Sequence, residues 1–216
     1  MSIPSGITSI GENAFKGCTG LQEVTIPASL TAINAYAFQG CTSLTEIKCN
    51  NTILSSNIGN YAFDGCTSLE EVKLDGTFTA LGQYAFNSCS SLNSLTIPTT
   101  VKTINSHTFD GCSSLTSLPT SSNFTAISTY SFRGCGLTSL DVSSVTALNS
   151  KDYAFADCTE LRTLILPASC TALSPSLFKG CSKLENLTLP NMTSTSGTQI
   201  SNYALSGLDS LQWLKF

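Results

Sequence analysis

The sequence predicts an α/β solenoid, in which the chain winds into stacked turns that each contain a short strand and a short helical turn. Three observations predict this fold class. A phenylalanine returns about every 23 residues, a cysteine follows it by three positions, and a strand-like segment follows the cysteine. One such turn cannot bury its own apolar edge, so the turns must stack on one another.

The phenylalanine and cysteine columns define about nine repeats. The phenylalanines are Phe15, Phe38, Phe63, Phe86, Phe109, Phe132, Phe155 and Phe178, with Leu205 in the ninth place. The cysteines are Cys18, Cys41, Cys66, Cys89, Cys112, Cys135, Cys158 and Cys181, with Leu208 in the ninth place. The stretch that joins the two columns, AFQGC for example, is too short for a full helix and predicts a helical turn.

The segment after each cysteine predicts a strand. Its pattern is L-x-x-(I/L/V)-x-(apolar), as in LQEVTI and LEEVKL, and its end alternates like a strand with one buried face. Proline often follows, as at Pro27 and Pro98, and proline cannot donate to a continuing ladder. A further apolar column runs through segments such as LTAI and FTAL.

The side chains that alternate with the buried ones form two outward columns. These columns are charged near the N-terminus, hydroxylic in the centre, and carry the single tryptophan near the C-terminus. A graded face without a pocket-forming cluster suits an extended protein ligand better than a small molecule. The other interpretation is an ordinary sheet surface with Glu–Lys neighbours. The candidate protein-binding residues are Glu23, Glu46, Lys48, Glu71, Lys73, Asp141, Ile165, Trp213 and Lys215.

The tyrosines and cysteines allow a functional and a structural interpretation. All six tyrosines lie two residues before the Phe column, as does the only histidine, His107. They form either an aromatic strip for a sugar or protein, or a structural stack, which the repetition favours. The ten cysteines take positions that require a small buried residue. In-register neighbours about 4.8 Å apart fit a disulfide poorly, and the sequence has no C-x-x-C zinc motif, so free thiols are expected.

Several function classes are not expected. Charged residues make up 11% of the chain and the net charge is −4, so a basic patch for nucleic acid is lacking. No apolar run approaches the roughly 20 residues of a membrane span. A catalytic triad needs a histidine, and His107 lies in the tyrosine column. We therefore expect neither an enzyme nor a cofactor or metal site.

The repeats resemble the Treponema-type, or BspA-like, leucine-rich repeat of bacterial and protozoan surface proteins. The pattern A-F-x-x-C-x-x-L-x-x-I-x-(I/L)-P carries this resemblance over nearly the whole chain. It implies a curved horseshoe with a parallel sheet on its concave face and short helical turns and loops opposite. It also implies a non-enzymatic, extracellular or cell-surface adhesion module that binds a host matrix or neighbouring-cell protein.

Residues 1–216 are expected to form one domain. Neither end shows a recognisable polar cap, and the start, MSIPSGITSI, lacks the pattern of a signal peptide. We therefore expect the chain to be a fragment of a longer protein, or another chain to cover its ends. The alternative function is a structural module that self-associates end to end through its terminal repeats.

Overall fold

The computed structural model describes residues 1–49, 52–118, 124–148, 153–170, 172–174, 176–190 and 199–215. All paired strands in this part are parallel, and each pairs with a strand of a neighbouring turn. The fold is a parallel-strand solenoid of about eight turns with repeats about 23 residues apart, which confirms the predicted solenoid.

The longer strands come from the segment after each cysteine. They form two four-stranded sheets, in the orders β2-β4-β5-β7 and β10-β12-β14-β16. Their apolar residues at the second position are buried, as Val24, Val72 and Leu164 show, except that Leu214 of the last strand is partly buried. The strands are β2 Glu23–Ile26, β4 Glu46–Cys49, β5 Glu71–Lys73, β7 Ser94–Thr96, β10 Ser139–Asp141, β12 Thr163–Ile165, β14 Asn186–Thr188 and β16 Trp213–Lys215.

A second set of short strands comes from the further apolar column. They stack in the orders β1-β3, β6-β8-β9-β11 and β13-β15. All but the last place one apolar residue in the core, as Ile33 and Leu81 show, whereas Ile200 is exposed. These strands are β1 Ser9–Ile10, β3 Ala32–Ile33, β6 Ala80–Leu81, β8 Thr103–Ile104, β9 Ala126–Ile127, β11 Ala147–Leu148, β13 Ala172–Leu173 and β15 Gln199–Ile200.

The predicted helical turns are hydrogen-bonded turns, and no helix occurs in the described part of the chain. In the second repeat the Cys41 N–H donates to the Phe38 carbonyl oxygen at 3.1 Å. Tyr36 and Gly40 have φ angles of 58° and 71°. These left-handed residues interrupt the right-handed path that a helix needs.

The core is a set of columns that run along the solenoid. The phenylalanines stack in register, with ring centroids 5.1 Å apart for Phe63 and Phe86 and 5.7 Å for Phe86 and Phe109. All of them from Phe38 to Phe178 are buried, whereas Phe15 is only half-buried. The repeat spacing thus brings identical side chains into contact.

Hydroxyl side chains of serine and threonine join neighbouring turns through hydrogen bonds to backbone carbonyl groups. The Thr31 hydroxyl donates to the Thr8 carbonyl oxygen at 3.0 Å, and the Thr100 hydroxyl to that of Phe78 at 2.7 Å. Thr52 is buried and donates to the carbonyl of Pro27 at 3.1 Å. Two of these carbonyl groups, those of Thr8 and Pro27, also accept a backbone N–H, so the hydroxyl bonds are additional links between the turns.

The fifth repeat contributes no long strand among its described residues. Its described residues, 115–118, form no strand, so β7 and β10 belong to different sheets. The sequence continues with Pro119, and a proline has no N–H to donate to a ladder. We call the outward columns of the first four-stranded sheet the N-terminal half of the face and those of the second the C-terminal half.

Candidate binding face

The two outward columns run in register, as predicted, along each four-stranded sheet. In the N-terminal half, Glu23 is opposite Glu46, and Glu46 is opposite Glu71. In the C-terminal half one column is Ser139, Thr163, Asn186 and Trp213, and the other is Asp141, Ile165, Thr188 and Lys215. The structure thus groups the nine candidate residues as five in the N-terminal half and four in the C-terminal half.

The charged side chains of the N-terminal half are engaged with one another. The Lys48 ammonium lies 3.0 Å from a Glu23 carboxylate oxygen and 3.4 Å from one of Glu46. The Lys73 ammonium lies 2.8 Å from a Glu71 carboxylate oxygen. These lysines separate three carboxylates that would otherwise repel one another across adjacent strands.

The pKa values of this half follow from the ion pairs. The hydrogen bond from Lys73 lowers the pKa of Glu71, although partial desolvation opposes it. Hydrogen bonds to Glu23 and then Glu46 raise the pKa of Lys48. All these groups are exposed to water, so the pairs contribute little to stability, and their role is to fix the charge pattern of the face.

Most polar side chains of the C-terminal half have no partner within the described ranges. Asp141 accepts a hydrogen bond from the Ser143 N–H at 2.9 Å. By contrast, the side chains of Asn186, Thr188 and Lys215 make no hydrogen bond or ion pair with any part of the chain that the structure describes. Trp213 is 70% exposed, and Ile165 is half-buried.

The tyrosine column forms a continuous stack. Neighbouring centroids from Tyr36 to Tyr153, with His107 included, are 4.9, 4.5, 4.3, 4.6 and 5.0 Å apart. The Lys16 ammonium lies over the Tyr36 ring and the Arg133 guanidinium over the Tyr130 ring. Because inner rings such as Tyr84 have a ring on each side, their faces cannot accept a flat ligand. This geometry favours the structural interpretation of the column.

An ion-pair cluster beside this stack was not predicted from the sequence. The Arg133 guanidinium donates two hydrogen bonds to Asp110, both 2.8 Å long, and His107 Nδ1 lies 2.7 Å from the same carboxylate. The Asp110 side chain is only 6% exposed. Its column, one residue after each phenylalanine, also carries Asp64 and Asn87, which bond each other at 2.7 Å. That run of polar residues in one column was the sequence signal from which the cluster could have been predicted.

The cysteine column is made of free thiols that act as hydrogen-bond donors. The Cys66 thiol lies 3.1 Å from the Phe38 carbonyl oxygen, and the same bond recurs in the following repeats. Burial raises the pKa of Cys41 to about 11 and that of Cys181 to about 12. All ten cysteines are free, but Cys18 is exposed and Cys49 is partly exposed. The prediction of full burial was therefore wrong for these two.

Neither a metal site nor a membrane span occurs in the described part of the chain. No three His, Cys, Asp or Glu side chains there lie close enough together to hold a metal ion. Nor does that part contain a helix with the length and apolar character of a membrane span.

Comparison with known proteins identifies the family of the repeat. The model of the BspA type leucine-rich repeat region matches residues 1–80, 55–151 and 123–216. No curated protein matches the chain. A crystal structure of a leucine-rich repeat protein from Bacteroides ovatus is 24% identical with a TM-score of 0.65, and the match covers 99% of this chain and 59% of that one. The chain therefore spans less than two thirds of that protein, whose likeness supports the fold.

Two further solved structures of leucine-rich repeat proteins match the chain. The leucine-rich repeat protein of T. pallidum is 28% identical, with a TM-score of 0.42 over 88% of this chain and 69% of that one. A leucine-rich cell surface protein of Faecalibacterium prausnitzii is 19% identical, with a TM-score of 0.44, and the match covers 99% of this chain and 86% of that one. Leucine-rich repeats are commonly a scaffold for protein binding, and proteins with this fold are typically not enzymes. The chain belongs to the BspA-type leucine-rich repeat family.

Proposed function

We propose that this chain is a non-enzymatic protein-binding module of a cell surface, and that its ligand binds across the outward columns of the long strands. The observation that carries the proposal is the register of these columns. Their side chains take no part in the core, so they are free to vary without loss of the fold. The ligand that we propose is a matrix protein or a protein of a neighbouring cell.

The shape of the face supports an extended ligand. In each half, the outward side chains of four adjacent strands, about 4.8 Å apart, form two parallel rows. Charged groups lie at one end, and Trp213 lies at the other. Exposed tryptophan is enriched at protein interfaces, and polar residues form the rim of an interface. The tyrosine stack offers ring edges only and is the weaker candidate.

Binding to purified matrix proteins tests the proposal. The double variant Glu71→Ser/Lys73→Thr gives the third repeat the outward residues that the fourth already has at Ser94 and Thr96. We expect this variant to fold normally and to lose at least about tenfold in affinity for a matrix protein that the parent chain retains. The matched control is Gln83→Ser on the turn side, which copies Ser106.

Two results would contradict the proposal. One is that the parent chain binds no matrix protein. The other is an equal loss of affinity in the control and in the double variant, since the face would then have no special role.

Self-association through the terminal repeats is a second candidate. The observation that favours it is the concentration of exposed large apolar side chains in the first and last repeats, namely Met1, Ile7, Ile200, Tyr203 and Trp213. Tyr203 is 79% exposed. Light scattering over a wide concentration range tests this candidate, with Tyr203→Ser as a variant that copies Ser176 in the same column. A monomer at all concentrations would exclude it.

A further inference from the structure

The C-terminal half of the face combines an exposed indole with polar groups that have no partner among the described residues. In the N-terminal half, Lys48 and Lys73 are each within 3.0 Å of a carboxylate. In the C-terminal half, the Lys215 ammonium and the Asn186 amide have neither an ion pair nor a side-chain hydrogen bond in the described chain. The two halves therefore differ in how far their polar groups are already satisfied.

These groups lie close together because of strand geometry. Trp213 and Lys215 are two residues apart on β16, so they lie on the same face about 6.7 Å apart along the strand. Asn186 and Thr188 are directly opposite them on β14. A shallow depression between the two strands is lined by all four. An aromatic ring, an amide, a hydroxyl and an ammonium group thus surround one patch.

We propose that this patch is a glycan-binding site that takes a sugar with a carboxylate group, such as a uronic acid. A pyranose ring has a flat C–H face, which can stack on the exposed indole, and a rim of hydroxyl groups. The Asn186 amide can both donate and accept hydrogen bonds with that rim, and the Thr188 hydroxyl can do the same. The Lys215 ammonium can pair with the sugar carboxylate. This inference goes beyond protein binding and does not depend on it.

Other features of the chain offer less to such a ligand. The inner faces of the tyrosine stack are covered by neighbouring rings. The depression near Lys48 and Lys73 has an aliphatic floor at Ile47 and no aromatic ring, and both of its lysines already have carboxylate partners. A peptide anchored by an apolar side chain needs an enclosed pocket, whereas the patch around Trp213 is open.

Fluorescence titration tests the site directly, because Trp213 is the only tryptophan of the chain. The probes are trigalacturonate, the neutral trisaccharide galactotriose and a triglutamate peptide. We expect trigalacturonate to change the fluorescence saturably, and the other two to bind at least about tenfold more weakly. We expect Lys215→Gln to reduce affinity for trigalacturonate to the level of the neutral sugar. Lys73→Gln, in the same column of the other half, is expected to leave it unchanged.

Several results would overturn the proposal. The absence of a saturable change with trigalacturonate would exclude the site. Equal affinity for galactotriose would exclude the role of Lys215, and equal affinity for triglutamate would reduce the interaction to simple charge attraction. An equal effect of Lys73→Gln would show binding spread over the whole face. Calorimetry with Trp213→Ala gives an independent readout, in which we expect no measurable heat of binding.

Discussion

The thiol of Cys89 donates a hydrogen bond to the carbonyl oxygen of Phe63, one repeat earlier, at 3.1 Å. The same carbonyl also accepts the N–H of Cys66 at 3.1 Å. A cysteine side chain is small and apolar enough for the core, and it still carries a donor. This pair of roles gives a physical reason for cysteine, rather than alanine or valine, in the column.

We expect Cys89→Ala to lower the free energy of unfolding by about 1–2 kcal/mol. The change removes a buried hydrogen bond and leaves a small cavity beside Phe63. Denaturant unfolding measures the loss. The control is Cys18→Ala, for which we expect less than about 0.5 kcal/mol because Cys18 is exposed. Equal losses in the two variants would contradict the account of the column.

Thiol labelling is expected to distinguish Cys18 from the rest of the column. Reagents reach exposed thiolates, whereas burial raises the pKa of Cys89, Cys112 and Cys135 far above the ordinary value. Mass spectrometry of the folded chain should show rapid labelling at Cys18, slower labelling at Cys49, and reaction of all ten thiols after unfolding. Rapid labelling of several column thiols in the folded chain would show that the solenoid opens easily.

Stability is expected to fall at alkaline pH. Burial raises the pKa of Cys41 from 9.0 to about 11, so the folded state keeps a proton that the unfolded chain releases. The contribution is fully present below pH 9 and is lost as the pH rises through the folded pKa. Between pH 8 and 10 we expect a loss of about 1 kcal/mol for each fully buried thiol, measured by denaturant unfolding. The variant Cys112→Ala should lose less stability over this range. If its free energy of unfolding fell with pH as steeply as that of the parent chain, the buried thiols would not be the cause of the pH dependence.

Removing a ring from the middle of the Phe column should be costly. Phe86 is fully buried between Phe63 and Phe109. We expect Phe86→Ala to lower the free energy of unfolding by about 3–5 kcal/mol, because the stacked turns cannot close the cavity. Phe86→Leu, which copies Leu205 of the ninth repeat, should cost less. A loss under about 1 kcal/mol for Phe86→Ala would contradict stacking along the column.

The fold was predictable because identical positions of a 23-residue repeat must stack in register. This principle predicted the Phe and Cys columns and the two outward columns, including the alignment of Glu46 with Glu71. It also gave a second apolar column, although its short strands, such as Ala80–Leu81, were not predicted. Two residues in a strand are too few for a pattern of alternation.

Features that depend on single positions were not predictable. A φ of 57° at Tyr84 is unexpected for a tyrosine, but Asn13 and His107 occupy the same column, and these two residue types are enriched in left-handed conformations. The Asp110–Arg133 pair needs two unlike residues in adjacent repeats, which a consensus does not show. The exposure of Cys18 follows from its place in the first repeat, where no described turn covers it.

Carboxylate footprinting of the complex with a bound matrix protein tests most directly whether the outward columns form the binding face. Carbodiimide coupling modifies exposed carboxylates, and mass spectrometry measures how far the ligand protects each one. We expect strong protection of Glu23, Glu46 and Glu71, and none of Glu12 on the turn side. Protection of Glu12 with unchanged modification of the three face glutamates would contradict the proposal and place the ligand on the turn side beside the tyrosine stack.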